Sequence, residues 1–164
     1  MGDWNTLGMR ASQSHTTKLV NAVSPAQWVH SRLPAGPNPD LLIFGIFASF
    51  LTLTASVYVG IADRAVSLGQ ATLNKRKHHD GTSYSQDIRA RGLLSQAAMR
   101  LISLDALQRS VAKDIDDLVD HQDAWFPKLV TLRTLAGETA RENVQVLGQL
   151  LGGGGYFRGS EFER

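Results

Sequence analysis

Hydrophobic and polar positions divide the chain into a proline-rich start and three long segments with helical spacing. Residues 41–62 carry no charged side chain, and a helical pattern continues beyond them to about residue 77. In residues 85–119, apolar side chains recur every three or four positions, which is the spacing of a helix that buries one face. A third segment of this kind runs from about residue 123 to 151. The pattern therefore predicts a mainly α-helical domain with three long helices.

Capping and breaking residues set the expected limits of these helices. Asp40 is a good N-cap for the first helix, and Gly81 breaks the chain before the second. Asp123 is the expected cap of the third helix, with Pro127 in the first turn, where its missing N–H costs little. The four glycines at 152–155 are expected to end that helix.

The second helix has the clearest buried face, with one polar interruption at Gln108. A face of this kind is the seam of a helical bundle and needs partner helices. Its apolar positions are Leu94, Ala97, Leu101, Leu104, Val111, Ile115 and Leu118.

The first 40 residues have a different character, because they hold four of the five prolines. A short β-branched alternation at about residues 16–23 predicts one strand. A single strand has no neighbour with which to pair. Residues 1–38 are therefore predicted to be the end of a β-domain with a linker, and residues 39–164 a helical domain.

The uncharged segment 41–62 is long enough to cross a bilayer as a helix. Against that interpretation, Asp63 adjoins it and an amphipathic pattern continues for about four turns. Five hydroxyl side chains also lie within it, at Ser49, Thr52, Thr54, Ser56 and Tyr58. We therefore expect a helix buried inside a bundle, and no membrane span.

Composition narrows the classes of function. The 164 residues suffice for one domain with a core, and the absence of cysteine excludes disulfides, Fe–S clusters and thiolate zinc sites. A net charge of +2 gives no argument for nucleic-acid binding. The first residues lack the basic start and apolar core of a signal peptide, so the expected location is the cytoplasm.

Three stretches, taken in order, resemble the flavin-dependent acyl-CoA dehydrogenases. WNTLGMRASQSH (residues 4–15), followed by the short strand and VSPAQWV, resembles the end of that family's middle β-domain. GIADRA (60–65), followed by KRK with Arg76 at its centre, resembles its first C-terminal helix. QLLGGGGY (149–156) is similar to its Gln-x-x-Gly-Gly-x-Gly-Tyr turn. The resemblance implies an up-down four-helix bundle whose fourth helix begins near Ser160 and is truncated at the last residue.

The resemblance also implies a site for FAD. Arg76 stands where the family places an arginine near the FAD pyrophosphate, and a guanidinium gives paired, charge-assisted hydrogen bonds to phosphate oxygens. Gly152, Gly153 and Gly155 match positions where the family's backbone approaches the adenosine half, commonly from a neighbouring subunit. Gln149 would project toward the same ligand. By themselves, without the resemblance, these residues are better explained by a solvated basic helix end and a glycine C-cap.

Some positions depart from the family pattern after Arg76. A polar residue, an aromatic and a glycine are expected there, whereas His78, His79 and Asp80 follow, and Gly81 comes one place late. The two adjacent histidines point to different sides of a helix, which argues against a metal site.

The family's general base is also missing. Most members place a glutamate beyond the region that this chain matches, and the alternative position on the first helix reads Ser-Phe-Leu at 49–51. No catalytic residue is therefore assigned. The apolar Ala48 and Leu51 replace polar residues that many members use near the acyl-CoA, which favours an apolar pocket or a flavin-dependent monooxygenase.

Two other clusters contain side chains of the types used in catalysis or metal binding. Residues 114–123 gather five aspartates and His121, but they are spread around a helix end and a turn, so a solvated connector is expected and not a metal site. A catalytic nucleophile and its base would need the residue types found at Ser12, Ser14 and His15. Sequence neighbours seldom meet the geometry required, so a loop facing flavin or substrate is expected.

The resemblance implies an FAD-dependent oxidoreductase of fatty acid metabolism that dehydrogenates an acyl-CoA between its α and β carbons. Homo-oligomers formed through the helical domain and an electron-transfer flavoprotein are the implied partners. The chain matches the last third to half of a typical member, so as a fragment it is expected to bind FAD weakly and to turn over nothing. The alternatives are a flavin-dependent monooxygenase of the same fold and a non-catalytic helical oligomerisation module.

Overall fold

A computed structural model of the chain describes residues 4, 6, 12, 14–36 and 40–161. They fall into two units, one within the first 36 residues and one formed by residues 40–161. The second unit contains three long helices, α1 (Leu41–Lys75), α2 (Ile88–Asp116) and α3 (Trp125–Leu151), which pack against one another. The prediction of a mainly helical fold is confirmed.

The predicted start of α1 is confirmed. The Asp40 carboxylate accepts hydrogen bonds from the backbone N–H groups of Leu42 and Ile43, at 2.9 and 3.2 Å. These two groups have no partner inside the helix, so the cap stabilises its first turn. The helix ends at Lys75, slightly before the expected limit near residue 77.

Helix α2 is shorter than predicted at both ends. Asp87 is its N-cap and accepts hydrogen bonds from two backbone N–H groups of the first turn, at 2.8 and 3.0 Å. Ser85, the expected start, lies instead in a short 3₁₀ turn, Tyr84–Gln86. Beyond the other end, Leu118 has a φ of 53° and is exposed, so its assignment to the buried seam was wrong.

The start of α3 also differs from the prediction. Asp123 lies in a preceding 3₁₀ turn, and the cap position is taken by Ala124, which makes no side-chain cap hydrogen bond. The indole N–H of Trp125 donates to the carbonyl of Val119 at 3.1 Å, and this bond fixes the connector. Pro127 lies in the first turn, as predicted.

The core is built from small and branched side chains at a seven-residue spacing. On α1 the buried positions include Ala48, Ala55, Ala62 and Gly69, and on α2 they are Ala90, Ala97, Leu104 and Val111. Helix α3 contributes Leu129, Leu132, Ala136, Ala140, Leu147 and Leu150. This period keeps one stripe of each helix facing its partners, as in coiled-coil packing. The predicted seam of α2 is confirmed at Ala97, Leu104 and Val111.

Two polar side chains enter this core and tie α2 to its neighbours. Gln108, the interruption noted in the α2 seam, donates from Nε2 to Ser56 Oγ on α1 at 2.5 Å. Asn143 on α3 is fully buried and donates from Nδ2 to the carbonyl of Ala97 at 3.1 Å. Polar contacts of this kind favour one axial register of the helices over others.

Helix α1 is not buried all round, contrary to the expectation from its apolar sequence. In a bundle of three helices, each helix is covered by the other two on one side only. The side of α1 that faces α2 and α3 carries its small residues. The opposite side exposes large apolar side chains, which are Leu42, Ile46, Phe50, Leu53, Val57 and Ile61. By length and composition alone, α1 is able to cross a membrane.

The strand expected at residues 16–23 is absent from the described part of the first unit. That stretch has no regular structure, and the nearest element is a 3₁₀ turn at Ala26–Trp28. The side chains of Val20 and Val23 are exposed, because no neighbouring strand covers them.

The segment after α3 returns toward α1. The Glu161 carboxylate receives two hydrogen bonds from the Arg64 guanidinium, at 2.7 and 2.8 Å. Ser160 lies in a turn, its N–H donating to the carbonyl of Phe157. The rest of the expected fourth helix, residues 162–164, lies outside the described residues.

Candidate functional site

The connection from α1 to α2 is a tight turn. The backbone N–H of Tyr84 donates to the carbonyl of Arg76 at 3.0 Å, and that of His78 donates to the carbonyl of Thr82 at 2.8 Å. Gly81 has a φ of 86°, a conformation that favours glycine. The predicted break at Gly81 is confirmed.

The residues that depart from the family pattern build this turn. The Asp80 carboxylate accepts a hydrogen bond from the N–H of Thr82 at 2.8 Å, and hydrogen bonds from Thr82 hold the pKa of Asp80 below its ordinary value. The extra residue before Gly81 therefore has a structural role, because it supplies the carboxylate that closes the turn.

The ring of Tyr84 fixes the side chains of Arg76 and His78. Arg76 Cζ lies 4.6 Å from the ring centroid, and the His78 ring stacks on Tyr84 with centroids 4.1 Å apart and an angle of 14° between the planes. His78 Nε2 is also 3.5 Å from the Asp87 carboxylate. The guanidinium is consequently held against an aromatic surface and is not free to sweep through solvent.

Arg76 reaches the glycine turn at the end of α3. Its Nη1 donates to the carbonyl of Leu150 at 2.5 Å, although the two residues are 74 positions apart. A Cβ added to Gly152 would lie 3.3 Å from Arg76 Nη2, and Gly152 has a φ of 57°. Two of the predicted cofactor-binding residues, Arg76 and Gly152, are therefore neighbours within one chain.

The other predicted residues of the glycine turn differ in accessibility. A Cβ on Gly153 or Gly154 would meet no atom within 4 Å, so the backbone is open to a ligand there. A Cβ on Gly155 would lie 3.5 Å from the carbonyl of Gly148, so this glycine packs against the end of α3. Gln149 is exposed on the last turn of the helix.

The charges at this junction favour an anion only through Arg76 and its neighbours. The C-terminal end of a helix carries partial negative charge, and Arg76 offsets it by capping the Leu150 carbonyl. Lys75 and Lys77 flank Arg76 and add positive charge. The arrangement is able to bind a phosphate. The Asp80 carboxylate is engaged in closing the turn, and the Asp87 carboxylate in capping α2.

Ala48 and Leu51, which were expected to border an apolar acyl pocket, lie in the core. They are 2% and 9% exposed and belong to the cluster that includes Leu104 and Leu129. A substrate on the surface of the bundle would not contact them. The interpretation of these two positions as pocket residues was therefore wrong.

The cluster at 114–123 is more ordered than a solvated connector. The Asp114 carboxylate accepts hydrogen bonds from Lys128 Nζ and from His121 Nε2, the latter at 2.8 Å, and these bonds, the one from Lys128 first, hold the pKa of Asp114 below its ordinary value. The His121 ring also meets the Trp125 ring edge-on at 4.8 Å. The network clamps the end of α2 to the start of α3. Among the described residues, no group of side chains is placed to hold a metal ion.

The Asp114 network makes a pH-dependent prediction. Asp114→Asn is expected to lower the melting temperature at neutral pH, and this difference from wild type is expected to shrink as the pH falls below about 4. A carboxyl group with a lowered pKa in the folded state contributes stability above its unfolded pKa and loses it as the pH falls through the folded pKa. Thermal melts of both proteins between about pH 2 and 7 test this. The exposed Asp116→Asn is the control, and an Asp114→Asn difference that stays constant with pH would contradict the network.

In the first unit, the hydroxyl groups of Ser12 and Ser14 hydrogen-bond each other at 2.9 Å and are exposed.

Three groups that contact Arg76 or Asp114 in the second unit were not expected from sequence: Tyr84, the Leu150 carbonyl and Lys128. Tyr84 follows the turn by only a few residues, so an aromatic side chain just after Gly81 was the available signal. A backbone carbonyl carries no such signal.

Comparisons with known proteins neither support nor refute the resemblance to a family. No family model, no curated protein and no solved structure matches the chain. The motifs lie far apart in sequence. The contact of Arg76 with the end of α3 is a feature of the structure and was not used to recognise the motifs.

Proposed function

We propose that the chain supplies part of the FAD site of an acyl-CoA dehydrogenase-type oxidoreductase. In this proposal, Arg76 binds the pyrophosphate, and Gln149, Gly152, Gly153 and Gly155 approach the adenosine half. The observation that carries the proposal is the contact between the Arg76 guanidinium and the glycine turn, 3.3 Å from the position of a Gly152 Cβ.

Arg76 is suited to a phosphate because its plane is already fixed. Nη1 is engaged by the Leu150 carbonyl, and the ring of Tyr84 lies against the group. The remaining N–H groups are arranged along the other edges of the guanidinium, where paired oxygens of a diphosphate would accept them. Preorganisation lowers the entropy lost when the ligand binds.

The glycine turn is suited to the other half of a dinucleotide because its main chain is bare. Gly153 and Gly154 have open space where a side chain would be. A ligand is therefore able to come within hydrogen-bonding distance of the backbone there. Gly152 leaves room for the Arg76 guanidinium, which a side chain would displace.

In the proposed reaction, a general base would remove an α proton from an acyl-CoA, and FAD, when bound, would supply the acceptor for the β hydride. The described residues contribute cofactor binding and position. No general base is assigned to this chain, so the acyl-CoA, the base and an electron-transfer flavoprotein as acceptor belong to the proposal through the resemblance alone. The cytoplasm remains the proposed location.

Titration of the full chain with FAD, followed by flavin fluorescence, tests the proposal. Arg76→Lys keeps the charge but loses the planar paired donors, so FAD affinity is expected to fall about tenfold, which is about 1.4 kcal/mol. Lys77→Ala removes an adjacent positive charge and is expected to change the affinity by less than about twofold. The melting temperature without FAD is measured for each variant, because Arg76 also caps α3.

Two results would count against the proposal. The first is an absence of saturable FAD binding by the folded wild-type chain. The second is an equal effect of Arg76→Lys and Lys77→Ala, which would indicate nonspecific attraction of an anion. The exposed apolar face of α1 then favours the second candidate function, a non-catalytic helical oligomerisation module.

A further inference from the structure

The glycine turn continues into a segment that runs back along α1, which we call the return segment (residues 152–161). It begins beside Arg76, whose Nη1 donates to the carbonyl of Leu150, and it reaches Arg64 through Glu161. Arg64 and Arg76 are twelve residues apart, which is about 18 Å along a helix. A segment of ten residues covers this distance without full extension. The return segment is therefore fastened to α1 at two levels, one near each of its ends.

The contact at the far end of the return segment is a paired one. Arg64 Nε and Nη2 donate to the two carboxylate oxygens of Glu161, at 2.7 and 2.8 Å. Two parallel hydrogen bonds between a guanidinium and a carboxylate fix the orientation of both groups as well as their distance. The two residues are 97 positions apart, so this ion pair joins distant parts of the chain and holds the end of the segment in one direction.

Burial contributes little to holding the return segment in place. Tyr156 and Phe157 are 90% and 73% exposed, and a Cβ at Gly159 would meet no atom within 4 Å. Gly155 packs against the carbonyl of Gly148, but this contact lies at the near end of the segment. Beyond it, the course of the backbone depends on polar contacts more than on apolar packing.

The backbone of the return segment bends at two glycines. Gly152 has a φ of 57° and Gly159 a φ of 91°, both in the left-handed region that glycine adopts readily. Glycine also has the greatest backbone freedom, so bends at these positions do not by themselves fix the direction of the chain. A contact beyond the second bend is needed for that. Glu161 follows Gly159 by two residues, and its ion pair with Arg64 supplies the contact.

We propose that Arg64 is a positioning residue for the dinucleotide site. By holding Glu161, Arg64 fixes the return segment so that the bare backbone at Gly153 stays beside Arg76. The inference rests on the proposed function, which supplies the ligand: the pyrophosphate meets Arg76, and the adenosine half meets the backbone of the return segment. Arg64 acts through Glu161 and touches no atom of the ligand.

A comparison of FAD with inorganic pyrophosphate tests the positioning role. Exposed ion pairs are weak, so Arg64→Gln is expected to lower FAD affinity only about threefold. Pyrophosphate affinity is expected to stay unchanged, because this anion meets Arg76 and does not need the return segment. The lost charge itself acts little at Arg76, because about 18 Å exceeds the Debye length of about 8 Å at physiological salt. A merely structural role of Arg64 would lower both affinities or neither.

NMR order parameters of the backbone amides test the fastening without any ligand. In Arg64→Gln, the amides of residues 153–160 are expected to fall from about 0.85, the value of a rigid backbone, toward about 0.6. Arg64→Glu combined with Glu161→Arg rebuilds the pair with reversed charges, so it is expected to restore the order parameters and the FAD affinity. Arg109→Gln is the matched control, because Arg109 Nε also lies 2.7 Å from a carboxylate, that of Asp105, but within α2. It is expected to change neither quantity.

Three results would overturn the proposal. They are unchanged order parameters in Arg64→Gln, equal losses of FAD and pyrophosphate affinity in that variant, and a charge exchange that restores neither quantity. The failure of the proposed function has a different signature, in which wild type binds no FAD while the order parameters fall as expected. Arg64 would then hold the return segment without serving a dinucleotide. A thermal melt without ligand confirms that each variant is folded.

Discussion

Leu147→Ala is expected to lower the free energy of unfolding by about 3 kcal/mol, a large part of the roughly 5–15 kcal/mol of a typical domain. Leu147 is fully buried on α3 and packs with Leu73, Ala97 and Leu150. Truncating it removes apolar contacts and leaves a cavity where α1, α2 and α3 meet. Urea denaturation followed by circular dichroism measures the loss.

Gly69 on α1 shows whether this packing is as close as the structure indicates. A Cβ at Gly69 would lie 3.0 Å from Leu147 Cδ2 and 3.4 Å from Leu94 Cδ1. In the Leu147→Ala background, the first contact disappears, so Gly69→Ala is expected to stabilise the protein by up to about 1 kcal/mol through helix propensity. In wild type, the crowded contact is expected to remove most of that gain.

The control for Gly69 is Gly92 on α2. A Cβ at Gly92 would meet no atom within 4 Å, so Gly92→Ala is expected to have the same effect in both backgrounds. The double-mutant cycle isolates the coupling between positions 69 and 147. If Gly69→Ala changed stability equally with and without Leu147, the packing of α1 on α3 described above would be wrong.

Gly153→Val is expected to weaken FAD binding about 100-fold, or about 2.7 kcal/mol, without unfolding the protein. The position has open space, so the side chain fits the isolated chain but occupies the place of a ligand against the backbone. FAD titration gives the affinity, and a melt without FAD gives the stability.

Gly154→Val is the matched control for this substitution. Gly154 has the same open surroundings and lies in the same 3₁₀ turn, Gly152–Tyr156, but it matches the variable position of the family's glycine motif. Its substitution is expected to leave FAD affinity within about threefold of wild type. Equal losses of FAD affinity in both variants would show that any side chain in the turn weakens binding. They would then give no evidence that the ligand contacts the backbone at Gly153.

The local signals in the sequence predicted much of the bundle. Asp40 has a side chain that accepts the first free N–H groups of α1, and Gly81 readily adopts the φ of 86° that its turn needs. The spacing of Ala97, Leu104 and Val111 required a partner along one face, and the structure supplies it. Each of these predictions depends on residues close together in the chain.

The errors concern positions at which distant residues decide the structure. Residues 16–23 have the composition of a strand, but a strand also needs a neighbour, and none lies in the described part of the first unit. The apolar composition of α1 does not distinguish a helix that is buried on all sides from one that is buried on one side. Asp123 could cap α3, yet the Trp125 indole bond to Val119 sets the connector differently.

The candidate site was predictable only through the resemblance to a family. Arg76 and the glycines at 152–155 have ordinary explanations as a helix end and a C-cap, and local patterns give no reason for them to meet. Their contact depends on the lengths of α1 and α3 and on the turn that Tyr84 stabilises. Tyr84 had no place in the prediction, although its aromatic side chain closely follows Gly81, and the Leu150 carbonyl had none because a backbone carbonyl carries no sequence signal.

In the proposed function, Arg76 and the glycine turn form one binding surface for a dinucleotide diphosphate. An NMR titration of the full chain with FAD, observing backbone amides and the Arg76 Nε–H, tests it most directly. Saturable chemical-shift changes concentrated on Arg76, Gln149 and residues 152–155 are expected. Shifts that are absent, or that fall on residues elsewhere while Arg76 and the glycines stay unchanged, would contradict it.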